Sequence, residues 1–426
     1  MKKITIVLLV ALFSIVSFSN VLQYVPSNSK AFFYVKNLTK SYESLKTIPS
    51  LKSIFLDPIN LEIMLSSYAE MYMTSSEVES SAFYDLLQNV DLAGFIVEPS
   101  NETYHFGVVM GPFKDSKKFI DYINKILISS LKESGVSIDI VEKENYVVFV
   151  MDKDLYKEAK KGVSINQQNI ENGFYYVLNS SKMKGNGYAY VKDGYLIGKS
   201  NGAVSSGITN TNFIKPLDNY KFPGTYMIVS GYIPTDLSSL KSIIKNFGDF
   251  DLVQKLLSSS NGIELGGNVE LNSDSMEFNG KEYIKINTKN TIKDIIPLLE
   301  DNSIKYKKVN DNEITMSIET MIDDPENIGE KKKVTTDLNL WKDNEELYIY
   351  QGTPKEYKDL IKGYKKLSEN TLFNMLSEKI GSANLAFAFF DLSKLFSGYG
   401  IEGNFGGLIN INYKENDKLE ISFIIK

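Results

Sequence analysis

Three residue types on which much recognisable enzyme chemistry draws, cysteine, histidine and arginine, are absent or nearly absent from this chain. It has no cysteine and one histidine, His105, and its 47 basic residues are all lysine. A Ser–His–Asp relay or a zinc site needs an imidazole with partners of matching type. His105 instead lies in Tyr104-His105-Phe106, alternating with aromatic neighbours as in a strand. No Gly-x-Ser-x-Gly elbow or His-Glu-x-x-His pair accompanies it, so it reads as an ordinary strand residue. Without arginine there is no planar fork for bidentate binding of carboxylate or phosphate. Gly403, Gly406 and Gly407 make no phosphate loop, because no strand-to-helix turn with a following lysine and hydroxyl goes with them.

Chemistry carried by carboxylates alone survives these absences. A glycosidase needs two acids roughly 5–10 Å apart, and Asp91, Glu98, Asp249, Asp251, Asp323 and Asp324 are candidates. Nothing around them sets them apart from solvated surface acids. Calcium is the one metal whose ligands are plentiful. Asp152-Lys153-Asp154, Asp323-Asp324 and Asn310-Asp311-Asn312 offer hard oxygens in loops, yet none has EF-hand spacing, and Asp154 equally suits a helix cap. The sequence therefore predicts no catalytic, cofactor-binding or metal site.

The beginning of the chain points outward. Lys2 and Lys3, the apolar run Ile4 to Val16 and Ser17-Phe18-Ser19 form the pattern of a cleavable secretory signal peptide over residues 1–19. An uncleaved anchor is the weaker reading, because spanning takes about 20 apolar residues. No later stretch is long and apolar enough to span. The mature chain is expected in a periplasm or outside the cell, where it must fold without disulfides. Loss of Lys2 and Lys3 takes the formal charge from −6 to −8. That balance argues against a nucleic-acid partner, which favours a basic face. The richness in Lys, Asn, Ile and Tyr also fits a genome-wide bias.

One strand-then-helix phrase recurs. Ala31 to Lys36 leads into Asn37-Leu38-Thr39 with Tyr42 and Leu45 beyond. Thr225 to Val229 leads into Asp236-Leu237-Ser238, and Leu385 to Phe390 leads into Asp391-Leu392-Ser393. Each is a β-prone run ending at Asn or Asp, whose oxygen can cap a helix. Phe106 to Met110 precedes a helix predicted over 115–131, with Phe119, Ile123 and Leu127 on its apolar face. Tyr283 to Ile286 precedes one carrying Ile292, Ile295, Ile296 and Leu299. Leu347 to Tyr350 precedes Thr353-Pro354-Lys355-Glu356, a capping box with proline at the first helical position. Hairpins are predicted around Lys192-Asp193-Gly194, across 263–278, and at the C-terminus from Leu408 to Ile425.

This grammar predicts an α+β fold of two related domains, each a largely antiparallel sheet covered by helices. After the signal peptide they span residues 20–220 and 221–426, with Pro216 to Gly224 as linker. In this alignment 91–131 matches 266–299 and 144–150 matches 313–318. A doubly wound parallel fold is the runner-up.

The opening Tyr24-Val25-Pro26-Ser27-Asn28-Ser29, together with Leu347 to Leu367 and Asn384 to Leu395, resembles an uncharacterised family of exported bacterial proteins, a domain of unknown function. The resemblance implies an envelope location and no catalytic or binding residues. The expected function is that of a non-enzymatic cell-envelope protein that binds an envelope protein, lipid or glycan partner. Two alternatives stand beside it, a soluble carrier of an apolar ligand and a carboxylate-dependent glycan hydrolase. The many tyrosines and phenylalanines suit a ligand groove or plain core packing.

Overall fold

The computed structural model describes residues 21–56, 60–100, 103–128, 137–165, 173–179, 184–203, 213–222, 226–232, 257, 260–272, 277–323, 331–398, 400–401, 403–414 and 418–426. The signal-peptide residues 1–19 and the helix start expected at Asp236 lie outside them. The chain divides into two compact units, Met1–Ala203 and Val204–Lys426, and each is α+β with antiparallel strand pairing.

The first unit begins with β1 (Ala31–Val35), α1 (Leu38–Leu45), α2 (Pro49–Phe55), α3 (Leu61–Ser75) and α4 (Ser80–Leu86). Then follow β2 (Asp91–Ser100), β3 (Thr103–Gly111), α5 (Ser116–Ile123), β4 (Asp139–Lys143), β5 (Tyr146–Val150) and α6 (Lys153–Glu158). It closes with β6 (Gly173–Asn179), β7 (Lys184–Lys192) and β8 (Tyr195–Ala203). The strands pair in the order β4-β5-β3-β2-β1-β6-β7-β8. Asn37 caps α1 as its type predicts, its Oδ1 accepting from the Lys40 N–H at 3.0 Å. The Lys192-Asp193-Gly194 turn holds Asp193 at φ 52° and Gly194 at φ 74°, the positive φ values a tight hairpin requires.

Period-two alternation gives this sheet two apolar faces. Phe32, Tyr34, Phe95, Val109, Val148 and Tyr175 pack with Val21, Leu22 and Tyr156 on one side. Val147 and Phe149 meet Leu86 of α4 and Phe119 of α5 on the other. The helix predicted over 115–131 is α-helical only to Ile123 and continues as a wider π turn over Asn124–Ile128. Ile128 is buried and Leu127 is exposed, opposite to a continuous α stripe, because the wider turn rotates the following side chains.

The second unit contains β9 (Lys221–Phe222), β10 (Tyr226–Tyr232), β11 (Ser260–Asn272), β12 (Glu277–Thr288) and α7 (Ile292–Asp301). Next come β13 (Lys305–Asn310), β14 (Glu313–Asp323), β15 (Lys331–Asp343), β16 (Glu346–Tyr350), α8 (Pro354–Gly363), β17 (Lys365–Lys366) and α9 (Thr371–Ile380). β18 (Ala386–Asp391), α10 (Ser393–Gly398), β19 (Gly406–Lys414) and β20 (Lys418–Ile425) complete it. Its main sheet runs β13-β14-β15-β16-β12-β11-β10-β18-β19-β20. Ile292, Ile295 and Leu299 of α7 pack on Ile286, Ile314 and Leu347. On the opposite face α8 inserts Tyr357 among Tyr283, Trp341, Tyr348 and Tyr350, with ring centroids 5.3–5.6 Å away. The predicted box at Thr353 forms: Glu356 Oε2 accepts from the Thr353 N–H at 2.7 Å, and Thr353 Oγ1 accepts from the Glu356 N–H at 3.2 Å.

The segment expected as a linker belongs to this second unit, and the boundary falls at 203/204 rather than at 220/221. Its described part, 216–222, forms a short turn and β9, which pairs with β17. Tyr220 and Phe222 are buried against Phe387 and Phe389. The Pro and Asp-Asn signals mark a turn, and the two aromatics beside them are what pin it down. α9 covers the same strands, Phe373 meeting Phe387 and Phe389, and it starts at Asn370, whose Oδ1 accepts from the Phe373 N–H at 2.8 Å. Asn370→Ala should cost about 1 kcal/mol, the usual worth of such a cap, read as a lowered urea midpoint with unchanged slope.

Candidate functional site

The richest cluster of ionisable side chains among the described residues lies on one face of the second unit's sheet. Register places Tyr348, Lys285, Glu264, Ser230, Phe387 and Asn410 on successive strands, in one row from β16 to β19. Glu264 is only 8% exposed, so its charge must be met locally. Lys285 Nζ sits 2.7 Å from Glu264 Oε2 and 3.8 Å from Glu346 Oε1. The Tyr283 hydroxyl donates to Glu264 Oε1 at 3.0 Å, and the Tyr348 hydroxyl donates to Glu346 Oε2 at 2.6 Å. Gly266 makes the first of these possible. A Cβ there would lie 2.3 Å from the Tyr283 ring, so only glycine lets the ring lie across β11 and reach Glu264.

The segment 213–220 straps over this row. Tyr220 Oη accepts from the Lys215 N–H at 3.2 Å and from Ser230 Oγ at 3.3 Å. The Ile214 N–H donates to the Asn384 carbonyl at 3.1 Å. Lys215 reaches Glu346 with its Nζ at 3.6 Å. On one side of the strap, Glu264, Lys285, Glu346 and Tyr220 line a half-open recess of about 20 Å³, room for roughly one water. On the other side opens a cleft of about 420 Å³ between the strap and α9. Its wall is largely apolar, with Ile214, Leu217, Phe373 and Phe387, and polar groups come from Ser377, Glu378 and Asn410. Asn410 is buried and fixed, its Nδ2 donating to the Gly381 carbonyl at 2.5 Å.

The residues picked from sequence are not brought together here. His105 pairs in register with Val97 in the first unit; its Nδ1 is buried and makes no hydrogen bond among the described residues. It borders a void of about 10 Å³ with Asp152 and Tyr156. Asp152 caps α6, accepting from the Leu155 N–H at 2.8 Å, and Asp154 pairs with Lys157. Asp91 accepts from the Tyr34 hydroxyl at 3.0 Å and the Asn37 N–H at 2.8 Å, and Glu98 lies 3.8 Å from Lys30. Asp91 and Glu98 are seven residues apart on β2, about 23 Å along an extended strand. Asp311 pairs with Lys308, while Asn310 Oδ1 accepts from the Asn312 N–H. Asp323 ends β14, and Asp249, Asp251 and Asp324 lie outside the described residues. Among the described residues no three acids or histidines gather as a metal site would need.

Sequence reading missed Glu264, Lys285 and Glu346. The available signal was Gly262-Ile263-Glu264-Leu265-Gly266, where the strand period puts Glu264 between two glycines on a face apart from Ile263 and Leu265. No family model, curated protein or solved structure matches this chain. No helix among the described residues is long and apolar enough to cross a membrane.

Two measurements test the cluster. Lys285→Met leaves the Glu264 charge buried and short of a partner, which should cost about 3 kcal/mol, while adding Glu264→Leu should return most of that; a double-variant loss equal to the sum of the Lys285→Met and Glu264→Leu losses would show that the two groups are not coupled. For Glu346, burial alone would raise the carboxyl, but the Tyr348 hydroxyl and the Lys285 and Lys215 ammonium groups hold it below its ordinary value. A carboxylate with a depressed folded value stabilises the fold above its unfolded value and loses that contribution as pH falls through the folded one. Glu346→Gln should therefore flatten the loss of stability below about pH 5, followed by urea midpoints across pH.

Proposed function

We propose that this chain is an exported cell-envelope protein that binds rather than transforms, with the cleft beside the 213–220 strap as its recognition site. One observation carries the reading: Glu264 and Lys285 in the neighbouring row and Glu346 at its margin are matched to one another, whereas the cleft beside them is open. At about 420 Å³ it falls within the size range of small-molecule sites. Its phenylalanine and aliphatic wall with polar groups at the margin favours a ligand with an apolar body and one polar end, the carrier form of the binding function. The hydrolase alternative has less support. Lys285 stands between the two nearest carboxylates, and the space around them holds about one water.

The same reading takes the two units as related copies. Support comes from strand order: β5-β3-β2-β1-β6-β7-β8 in one unit and β16-β12-β11-β10-β18-β19-β20 in the other. In this reading β5 corresponds to β16, since each pairs with the third strand of its unit's main sheet, and β13–β14 is an added hairpin. Matching 144–150 with 313–318 sets β5 against that hairpin instead. The envelope location rests on the leader sequence and on the resemblance of the 24–29 phrase.

Native mass spectrometry of the protein isolated from its own envelope should show a small-molecule adduct. Ala383→Trp, which fills the cleft from its wall, should remove the adduct without shifting the melting temperature. A bare mass for the unaltered protein would sink the carrier form, and glycan turnover abolished by Glu264→Gln would replace it with the hydrolase.

A further inference from the structure

α3 turns the wrong side inward for a helix on a water-soluble surface. Its inward stripe is Glu62, Ser66, Ala69 and Met73, of which only Met73 is a large apolar residue and only Met73 is fully buried. Glu62 is tied to Lys46, whose Nζ lies 3.2 Å away. The outward side carries Ile63, Met64, Leu65, Tyr68, Met71 and Tyr72, each between 53% and 61% exposed. A helix normally sets its apolar stripe against the core, and an exposed patch of this kind marks an interaction surface.

The pattern also says what covers it. Met64, Leu65, Tyr68, Met71 and Tyr72 occupy about 120° of arc at 100° per residue, the width of stripe that one packed helix covers. Their spacing about Tyr68 is symmetric: Met64 and Tyr72 lie four residues to either side, Leu65 and Met71 three. An antiparallel copy of the same helix, related by a two-fold axis at Tyr68, therefore sets Met64 against Tyr72 and Leu65 against Met71 in both directions. Neither acid of α3, Glu62 or Glu70, lies on the stripe, so no like charges meet. The helix has no lysine, whereas helices that lie in a membrane surface carry a basic polar face. The five side chains of the stripe present on the order of 550 Å² per copy, about two thirds of the ~800 Å² that each partner buries in a standard interface.

We infer that α3 is a homodimer contact, closed by antiparallel pairing of two copies about Tyr68. This inference is independent of the ligand cleft. A chain without cysteine makes the test clean. In the purified full chain, sedimentation should show a monomer–dimer equilibrium, and Tyr68→Glu should weaken it at least tenfold with an unchanged circular dichroism spectrum. Under oxidation the Met64→Cys chain mixed with the Tyr72→Cys chain should give covalent dimers of one chain each. Met64→Cys alone should give none, since antiparallel pairing holds its two copies about 12 Å apart along the axis. These crosslinks carry the test if the glutamate variant fails to fold. Three outcomes overturn the inference: covalent dimers from Met64→Cys alone, a monomer at every concentration, or a monomer that floats with phosphatidylcholine vesicles through the same residues.

Discussion

Glu264 sits on a sheet face closed by α8, α9 and the 213–220 strap, where an unpaired carboxylate would cost several kcal/mol. The surrounding geometry follows from that constraint. Lys285 must stand opposite on β12, which holds only in the observed register of β11 against β12. Tyr283 must lie flat across β11, which only a residue without a side chain at Gly266 permits. A slip of one residue would turn Glu264 into the face where Ile263 packs near Ile286 and Leu347. The charged pair is thus a check on register as well as a local contact. The strap relies on the same row and its margin, because Tyr220 finds Ser230 in the row and Lys215 finds Glu346 beside it.

The first unit solves its central face without such a pair. Phe32, Tyr34, Ala93, Phe95, Val109 and Val148 form an apolar layer, and the acid at its margin, Asp91, is held by the Tyr34 hydroxyl and the Asn37 N–H. Burial raises the Asp91 carboxyl, and those two donors together with Lys36 only partly offset it. Glycine serves here too: the buried Phe95 ring lies over Gly107, where a Cβ would come within 2.2 Å of it. One device, an aromatic ring laid over a bare strand, carries a hydroxyl to a buried acid in the second unit and only fills space in the first. Where the cleft opens, next to Asn410 and Phe387, follows from the strap that crosses this row in the second unit.

Much of the fold was legible because alternation and capping are local. The strands at 31–35, 106–110, 283–286 and 347–350, the box at Thr353 and the turn at Asp193-Gly194 depend on residues within a few positions of one another. The helix at 115–131 was legible to Ile123 only, since a local π turn breaks the 3.6-residue period. The segment 216–222 read as a linker because Pro216, Asp218 and Asn219 signal a turn, whereas the burial of Tyr220 and Phe222 depends on Phe387 and Phe389, well over a hundred residues on.

From the chain alone came the absence of cysteine and arginine, the single imidazole, the antiparallel α+β character and the stripes on α7 and α8, all fixed by composition or short-range period. Only the tertiary structure could set Glu264, Lys285 and Glu346 side by side, open a cleft beneath 213–220, and turn the apolar side of α3 outward. Those outcomes hang on strand register and on how each element is docked, and no short-range pattern encodes either.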